Sequence, residues 1–309
     1  MCRALLYLGQ PVLLDDLLFQ PDSALIRQSY MPQMLHMLNL AGFGMRAWSA
    51  GSRAPDQPWS YAVTSLPVFD RNLKAMAEKI EVDALLAHVR GVPYHTGVEI
   101  SPQNVHPFQF PGVPLAMAHN GDLADIERMR PLLSKLILPR YLSAIRGTTD
   151  SEWIYALLLS CLEEEATGAV DDDSDALVRA IAKLIACIRD IRNALDITVS
   201  SSMNLFLASR RRVAGLRYCF DFGRYATSDP ERVHEANLSY LSLWYTVGRH
   251  YGQHEGEWGM QGGSSADSII IASEPLTRDI HRWVEVPEYG LLVADATGQT
   301  PRISVHLMP

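Results

Sequence analysis

Four short segments carry the residue types that acyl transfer needs: MCR at 1–3, AHVR at 87–90 with NVHPF at 104–108, AMAHNG at 116–121, and GTTDSE at 147–152. Attack on an amide takes a nucleophile and a base. A cysteine at a mature N-terminus supplies both, because its own α-amino group can take the thiol proton. An α-amine titrates near ~8 and a thiol near ~8.5, so the two are closely matched. This chemistry requires loss of Met1, which the small side chain of Cys2 permits. The competing reading of Cys2 is an ordinary thiol at the start of a strand.

A tetrahedral intermediate needs preorganised donors, and the amide of Asn120 with the N–H of Gly121 can supply them from a turn that follows a strand. An Asn-Gly turn without function has the same sequence. If the acyl group is γ-glutamyl, its α-carboxylate and α-ammonium must also be held. Arg90, closing an apolar strand, can fork the carboxylate, and Asp150 can bind the ammonium. A surface ion pair is the alternative for Arg90. For Asp150 it is a place in the first turn of a helix, since Thr149 and Glu152 have the spacing of a T-x-x-E capping box.

These residues have to be positioned by regular elements. Strands are expected at 3–8, 60–69, 82–89 and 113–120, several too apolar for a half-exposed face. Helices are expected at 151–165 and 175–195, the second with Leu177, Ile181, Leu184, Ile188, Ile191 and Leu195 on one buried face. The acidic run DDDSD at 171–175 suits a loop and helix start. Strand patterns return after 200 in MNLFLAS, VAGLRYCF, YLSLWYTV, SIIIAS and YGLLVAD, while 249–267, Gly-rich and polar, reads as a long surface loop. Strands, helices and strands again in one unbroken chain give an α+β fold, two facing sheets covered by helices, as a single domain over 1–309.

A net charge of -8 and no Lys/Arg-rich run argue against a nucleic-acid partner. Neither a membrane span nor a signal peptide is read from the sequence, so a cytoplasmic protein is expected. Cys2, Cys161, Cys187 and Cys219 are far apart with no CxxC pair, and the last three read as core. The histidines at 88, 95, 106 and 119 match no zinc spacing, so neither metal nor cofactor is expected.

MCR, GFG at 42–44, AHVR, N-x-HPF, HNG and GTTDSE, in this order and spacing, resemble the class II glutamine amidotransferases, which are N-terminal-nucleophile hydrolases. MCR, RQSY at 27–30, GTTDSE and SIIIASEPLT at 268–277 are most similar to one subgroup: the amidotransferase-like subunit of the fungal glutathione-degrading complex, its bacterial relatives, and the γ-glutamyl hydrolase of ergothioneine synthesis. The resemblance implies a four-layer αββα sandwich. It implies Cys2 as nucleophile, Asn120 and Gly121 as oxyanion hole, and Arg90 and Asp150 as glutamyl clamps. His106, Asn104 and Thr149 are then supporting residues of the substrate pocket. Two departures are visible. Gly91, Val92 and Pro93 replace the W-A-T-H-G that follows the arginine in glucosamine-forming members, and Ala41 stands where an Asp is common.

Three functions stay open on the sequence. The first is hydrolysis of a γ-glutamyl amide or isopeptide, glutathione-like peptides first. The second is a glutaminase subunit feeding ammonia to a synthase, and the third a non-catalytic regulatory subunit. The expected partner is a small γ-glutamyl substrate, with a peptidase-like or synthase subunit and a homo-oligomer left open.

Overall fold

The computed structural model describes residues 2–34, 38–92, 99–166, 173–225, 227–234, 242–262, 266–296 and 302–309. Met1, His95 and most of the stretch after Arg90, which bear on calls made above, lie outside the described residues, as do Asp171 and Asp172.

The elements run β1 (Arg3–Leu13), α1 (Leu14–Leu18), α2 (Leu25–Gln28), β2 (Phe43–Trp48), β3 (Trp59–Val63), α3 (Arg71–Ala77), β4 (Glu81–Val89) and β5 (Ala116–Gly121). A helical layer follows: α4 (Ile126–Leu136), α5 (Pro139–Leu142), α6 (Asp150–Glu165) and α7 (Ser174–Ala194). The chain returns to strands with β6 (Ser201–Ala208), β7 (Arg212–Leu216), β8 (Cys219–Phe220), β9 (Trp244–Gly248), β10 (His250–His254) and β11 (Glu257–Gln261). It closes with β12 (Ser268–Ala272), β13 (Val284–Glu285), β14 (Gly290–Asp295) and β15 (Arg302–Leu307). One sheet has the order β13-β9-β12-β1-β4-β2-β3, the other β15-β14-β7-β6-β5.

Alternation along the strands builds the layers. In β1, Ala4, Leu6 and Leu8 face the second sheet, while Leu5 and Tyr7 face α1, α2 and α3. Both faces are covered, so the strand reads as one apolar run. Between the sheets the side chains are small at many positions: Ala4, Ala84, Ala116, Ala118 and Ala208. A Cβ on Gly215 would lie 2.9 Å from Ile271 Cγ2, so the sheets approach closely there. The outer face of the second sheet carries the largest core, where α6 is buried around most of its circumference and α7 covers it with one apolar face. The result is the expected αββα order.

Three local expectations change. The strand proposed for 60–69 ends at Val63, because Pro67 opens a 3-10 turn over Pro67–Phe69. The loop proposed for 249–267 contains the hairpin β10–β11, whose turn residues Glu255 and Gly256 have φ of 52° and 90°, the backbone a tight hairpin requires. Cys187 is half-buried, whereas Cys161 and Cys219 are buried. Among the described residues no helix is long and apolar enough to cross a membrane.

Candidate active site

The nucleophile candidate is placed by strand register. Pairing of Arg3 with Val89 and of Ala4 with His88 brings Cys2, one step further, opposite Arg90 at the end of β4. The Gly91 N–H donates to Cys2 Sγ at 3.3 Å and the thiol reaches the Gly91 carbonyl at 3.6 Å, which fixes the direction of the sulfur. On the other flank, pairing of Leu5 with Ala272 runs on to Ser273 beside Ala4 and Glu274 beside Arg3. Arg3 Nε meets Glu274 Oε2 at 3.1 Å, and its Nη1 donates to the Cys2 carbonyl at 3.1 Å. Both side chains of this pair are buried, at 2% and 1% exposure. The Glu274 carboxylate also accepts the N–H groups of Gln33 (3.0 Å) and Met34 (3.2 Å), tying a loop to the first residues of the chain.

Arg90 is buried. Burial lowers its guanidinium from the ordinary arginine value while Cys2 and Asp150 oppose the shift, so the three groups share one electrostatic neighbourhood. Arg90 Nη1 donates to the Glu99 carbonyl at 3.2 Å, and the same carbonyl accepts from Asn104 Nδ2 at 3.2 Å. Asn104, closing the one-turn helix Pro102–Asn104, bonds both ways with Thr148: its Nδ2 donates to Thr148 Oγ1 (3.0 Å) and its Oδ1 accepts from Thr148 N (2.9 Å). These bonds carry the connection from Arg90 to the turn ahead of α6.

That turn is not the expected capping box. Thr149 holds the N-cap position, yet its hydroxyl makes no capping bond and its Oγ1 is buried without a partner. The Glu152 carboxylate reaches past it to the N–H groups of Arg146 (2.9 Å) and Gly147 (2.6 Å). Gly147 is closely packed in this turn: a Cβ would strike Asn104 Oδ1 and come within 2.7 Å of Glu152 Oε2. Asp150 itself accepts from Leu123 N at 2.8 Å and from the Ser151 hydroxyl at 3.2 Å, linking the exit of β5 to the start of α6.

Asn120 lies on the inter-sheet face of β5, with Nδ2 3.4 Å from Ser273 Oγ and a buried Oδ1 that has no partner. Ser273 Oγ already accepts the Ala4 N–H at 3.0 Å. Turning the amide over lets the Ser273 hydroxyl donate to Oδ1 and leaves Nδ2 as the unengaged donor. At Gly121 a Cβ would strike the Ser202 carbonyl and lie 2.5 Å from His119 Nε2, so no side chain fits.

His106 packs at a tilt against His88 (ring centroids 4.4 Å) and Phe108 (4.5 Å), and both of its ring nitrogens are buried without a hydrogen-bond partner. Its connection with the pocket is packing. Sequence reasoning singled out neither Glu274 nor Ser273, and it passed over Ser151 and His119. A glutamate directly after the apolar SIIIAS and an arginine opening an apolar run mark Glu274 and Arg3 each as a charge bordering the core, though not as partners.

A family model described as class-II glutamine amidotransferases matches residues 63–225, which include Arg90, Asn104, His106, Asn120, Gly121, Thr149 and Asp150. The chain belongs to the class II glutamine amidotransferases. The probable glutamine amidotransferase DUG3 of Saccharomyces cerevisiae is 29% identical over 307 residues, covering 94% of this chain and 81% of the relative. Among solved structures, a glutamine aminotransferase class-II domain protein from Silicibacter pomeroyi matches over 100% of both chains with 19% identity and a TM-score of 0.57. The glutamine PRPP amidotransferase from B. subtilis complexed with ADP and GMP matches 99% of this chain and 49% of its own, with 14% identity and a TM-score of 0.56. As a class II glutamine amidotransferase, the chain is an enzyme on the αββα fold of N-terminal-nucleophile hydrolases. The matched segment excludes Cys2, whose placement rests on the β1 register.

Proposed function

We propose that this class II glutamine amidotransferase hydrolyses a γ-glutamyl amide or isopeptide, with γ-glutamyl peptides such as glutathione preferred over glutamine. Cys2, freed of Met1, attacks the γ-carbonyl while its α-amine takes the thiol proton. The tetrahedral oxyanion is held by Asn120 Nδ2 and the Gly121 N–H. Collapse expels the amine, protonated by the α-ammonium, and leaves a thioester on Cys2. Water, deprotonated by the same α-amine, then releases glutamate. Arg90 forks the α-carboxylate, Asp150 binds the α-ammonium, and Asn104, Thr149 and His106 hold these groups in place. The chain acts in the cytoplasm on a small substrate, alone or beside a peptidase-like subunit.

One observation carries this reading: Cys2 Sγ accepts the Gly91 N–H at 3.3 Å, which sets the thiol beside Arg90, and Arg90 is linked through the Glu99 carbonyl and Asn104 to the turn that leads into Asp150. A nucleophile, a cation and an anion in one place match the three parts of a γ-glutamyl group. The test is to incubate purified protein with glutamine, glutathione and γ-glutamyl peptides and to quantify glutamate, ammonia and free amine together. Glutamate and free amine in equal yield, with kcat/KM highest for a γ-glutamyl peptide, are expected. A kcat/KM for glutamine above that for every peptide, rising when a synthase is added, would favour ammonia delivery. No glutamate from any substrate, with Met1 retained, would favour a regulatory subunit.

A further inference from the structure

His119 stands on the helix side of β5, fully buried, with both ring nitrogens engaged. Nε2 lies 3.2 Å from the Ser202 carbonyl, which can only accept, so Nε2 carries a proton. Nδ1 lies 3.0 Å from Ser151 Oγ, and Ser151 Oγ lies 3.2 Å from Asp150 Oδ1. An ionised carboxylate also only accepts. Ser151 Oγ therefore bridges the ring and the carboxylate, and its single proton can serve either neighbour.

We propose that His119 is a positioning residue which, through Ser151, orients the carboxylate of Asp150 toward the α-ammonium of the substrate. Nδ1 is 3.8 Å from Asp150 Oδ2, so the ring also packs against the carboxylate. Asp150 is then held from two directions, by the Leu123 N–H at 2.8 Å and by the Ser151 hydroxyl that the ring positions. The other titratable groups around the ring are Asp122, His88, His106 and, across Asp150, Arg90. Burial and the nearby Asp150 raise the Asp122 carboxyl, with His119 opposing the shift, whereas burial lowers His88 and His106. Asp150 is thus the carboxylate that the ring meets through a hydroxyl.

The inference rests on the reading of Asp150 as the ammonium site, and the experiment separates the two. The probes are γ-glutamyl anilide and glutaryl anilide, which lacks only the α-ammonium. In Ser151→Ala, kcat/KM for γ-glutamyl anilide is expected to fall about 10- to 100-fold, mostly through KM, and in His119→Gln by about 100-fold, while glutaryl anilide changes by less than about 3-fold. A parallel loss on both probes in Ser151→Ala would overturn the positioning role and leave a structural one. Ser151→Ala decides the matter if His119→Gln does not fold. A wild type that does not distinguish the two probes would overturn the Asp150 reading itself.

Discussion

Cys2 and Cys161 are thiols of one chain in opposite settings. Cys161 lies on α6 among Leu157, Leu158 and Leu162 in the helix-side core, and burial pushes its thiol up to about 12. Cys2 begins a strand at the edge of the inter-sheet layer, partly exposed, with a backbone N–H aimed at its sulfur. The same contrast extends to the surroundings. The helix-side core is filled by aliphatic and aromatic side chains. At the strand ends beside Cys2 stand the buried Arg3, Arg90 and Glu274, each bonded to backbone groups, and Asn120 on β5. Packing fills the first region, and directed polar contacts organise the second.

The sharpest way to break this comparison is to remove each thiol. Cys2→Ala is expected to lower turnover by more than about 1000-fold with little change in melting temperature, whereas Cys161→Ala keeps kcat/KM within about twofold and loses about 1 kcal/mol of stability. Steady-state kinetics and urea unfolding on both variants check this, and near-normal rates in Cys2→Ala would end the assignment of the nucleophile.

Glu274→Gln tests whether the polar region also holds the fold. It leaves Arg3 buried without its counter-charge and is expected to cost about 3 kcal/mol in urea unfolding, with a lower kcat because the Arg3 contact to the Cys2 carbonyl loosens. Unchanged stability would show that the pair is not needed for the sheet.

The packed histidine pair His88 and His106 gives a milder test. His88 is lowered to about 3, chiefly by burial and then by Arg90 and His119, and His106 is lowered well below its ordinary value, chiefly by burial and then by His88, His119 and Arg90. An unfolded histidine titrates near ~6.5, so below that the unfolded chain binds protons that the folded rings refuse. Their contribution is complete above pH ~6.5 and is lost on acidification, at about 1.4 kcal/mol per pH unit for each ring. His88→Gln should remove about one proton from the slope of unfolding free energy between pH ~6.5 and ~5; an unchanged slope would mean that the ring charges in place.

The smallest effect is expected at Thr149→Ala. Its hydroxyl makes no capping bond, so the loss should stay below about 0.5 kcal/mol, against about 1 kcal/mol for a capping threonine. A larger loss would restore the capping box.

Thr149 shows where the sequence stops being informative. A T-x-x-E spacing is the same whether the glutamate turns back to the cap or reaches the turn ahead of it, and the path of Arg146 and Gly147 decides between them. By contrast β1, β4, β5 and α6 were legible as apolar runs buried on more than one side, and α7 as a periodic apolar face. The hairpin β10–β11 was hidden by its glycines and exposed polar residues. The helix α4 was hidden by an internal Pro131 and a left-handed Asp125 at its start. The residue types of the site could be read from short motifs. The Arg3–Glu274 and Asn120–Ser273 contacts could not, because each depends on the register or stacking of strands far apart in the chain.

The flanking of β1 also sets an order of events during synthesis. The first strand made is hydrogen-bonded on one side by β4 and on the other by β12, and the bond from Ala4 to Ser273 joins residues 269 positions apart. Until β12 has left the ribosome, Cys2 has neither the Arg3–Glu274 anchor nor the Ser273 contact to Asn120. Such long sequence separation makes the closing step slow relative to local helix formation. A nascent chain therefore carries its thiol without an assembled pocket around it until β12 has emerged, and the proposed γ-glutamyl hydrolysis arrives late, with the folding of the strands that follow the helical layer.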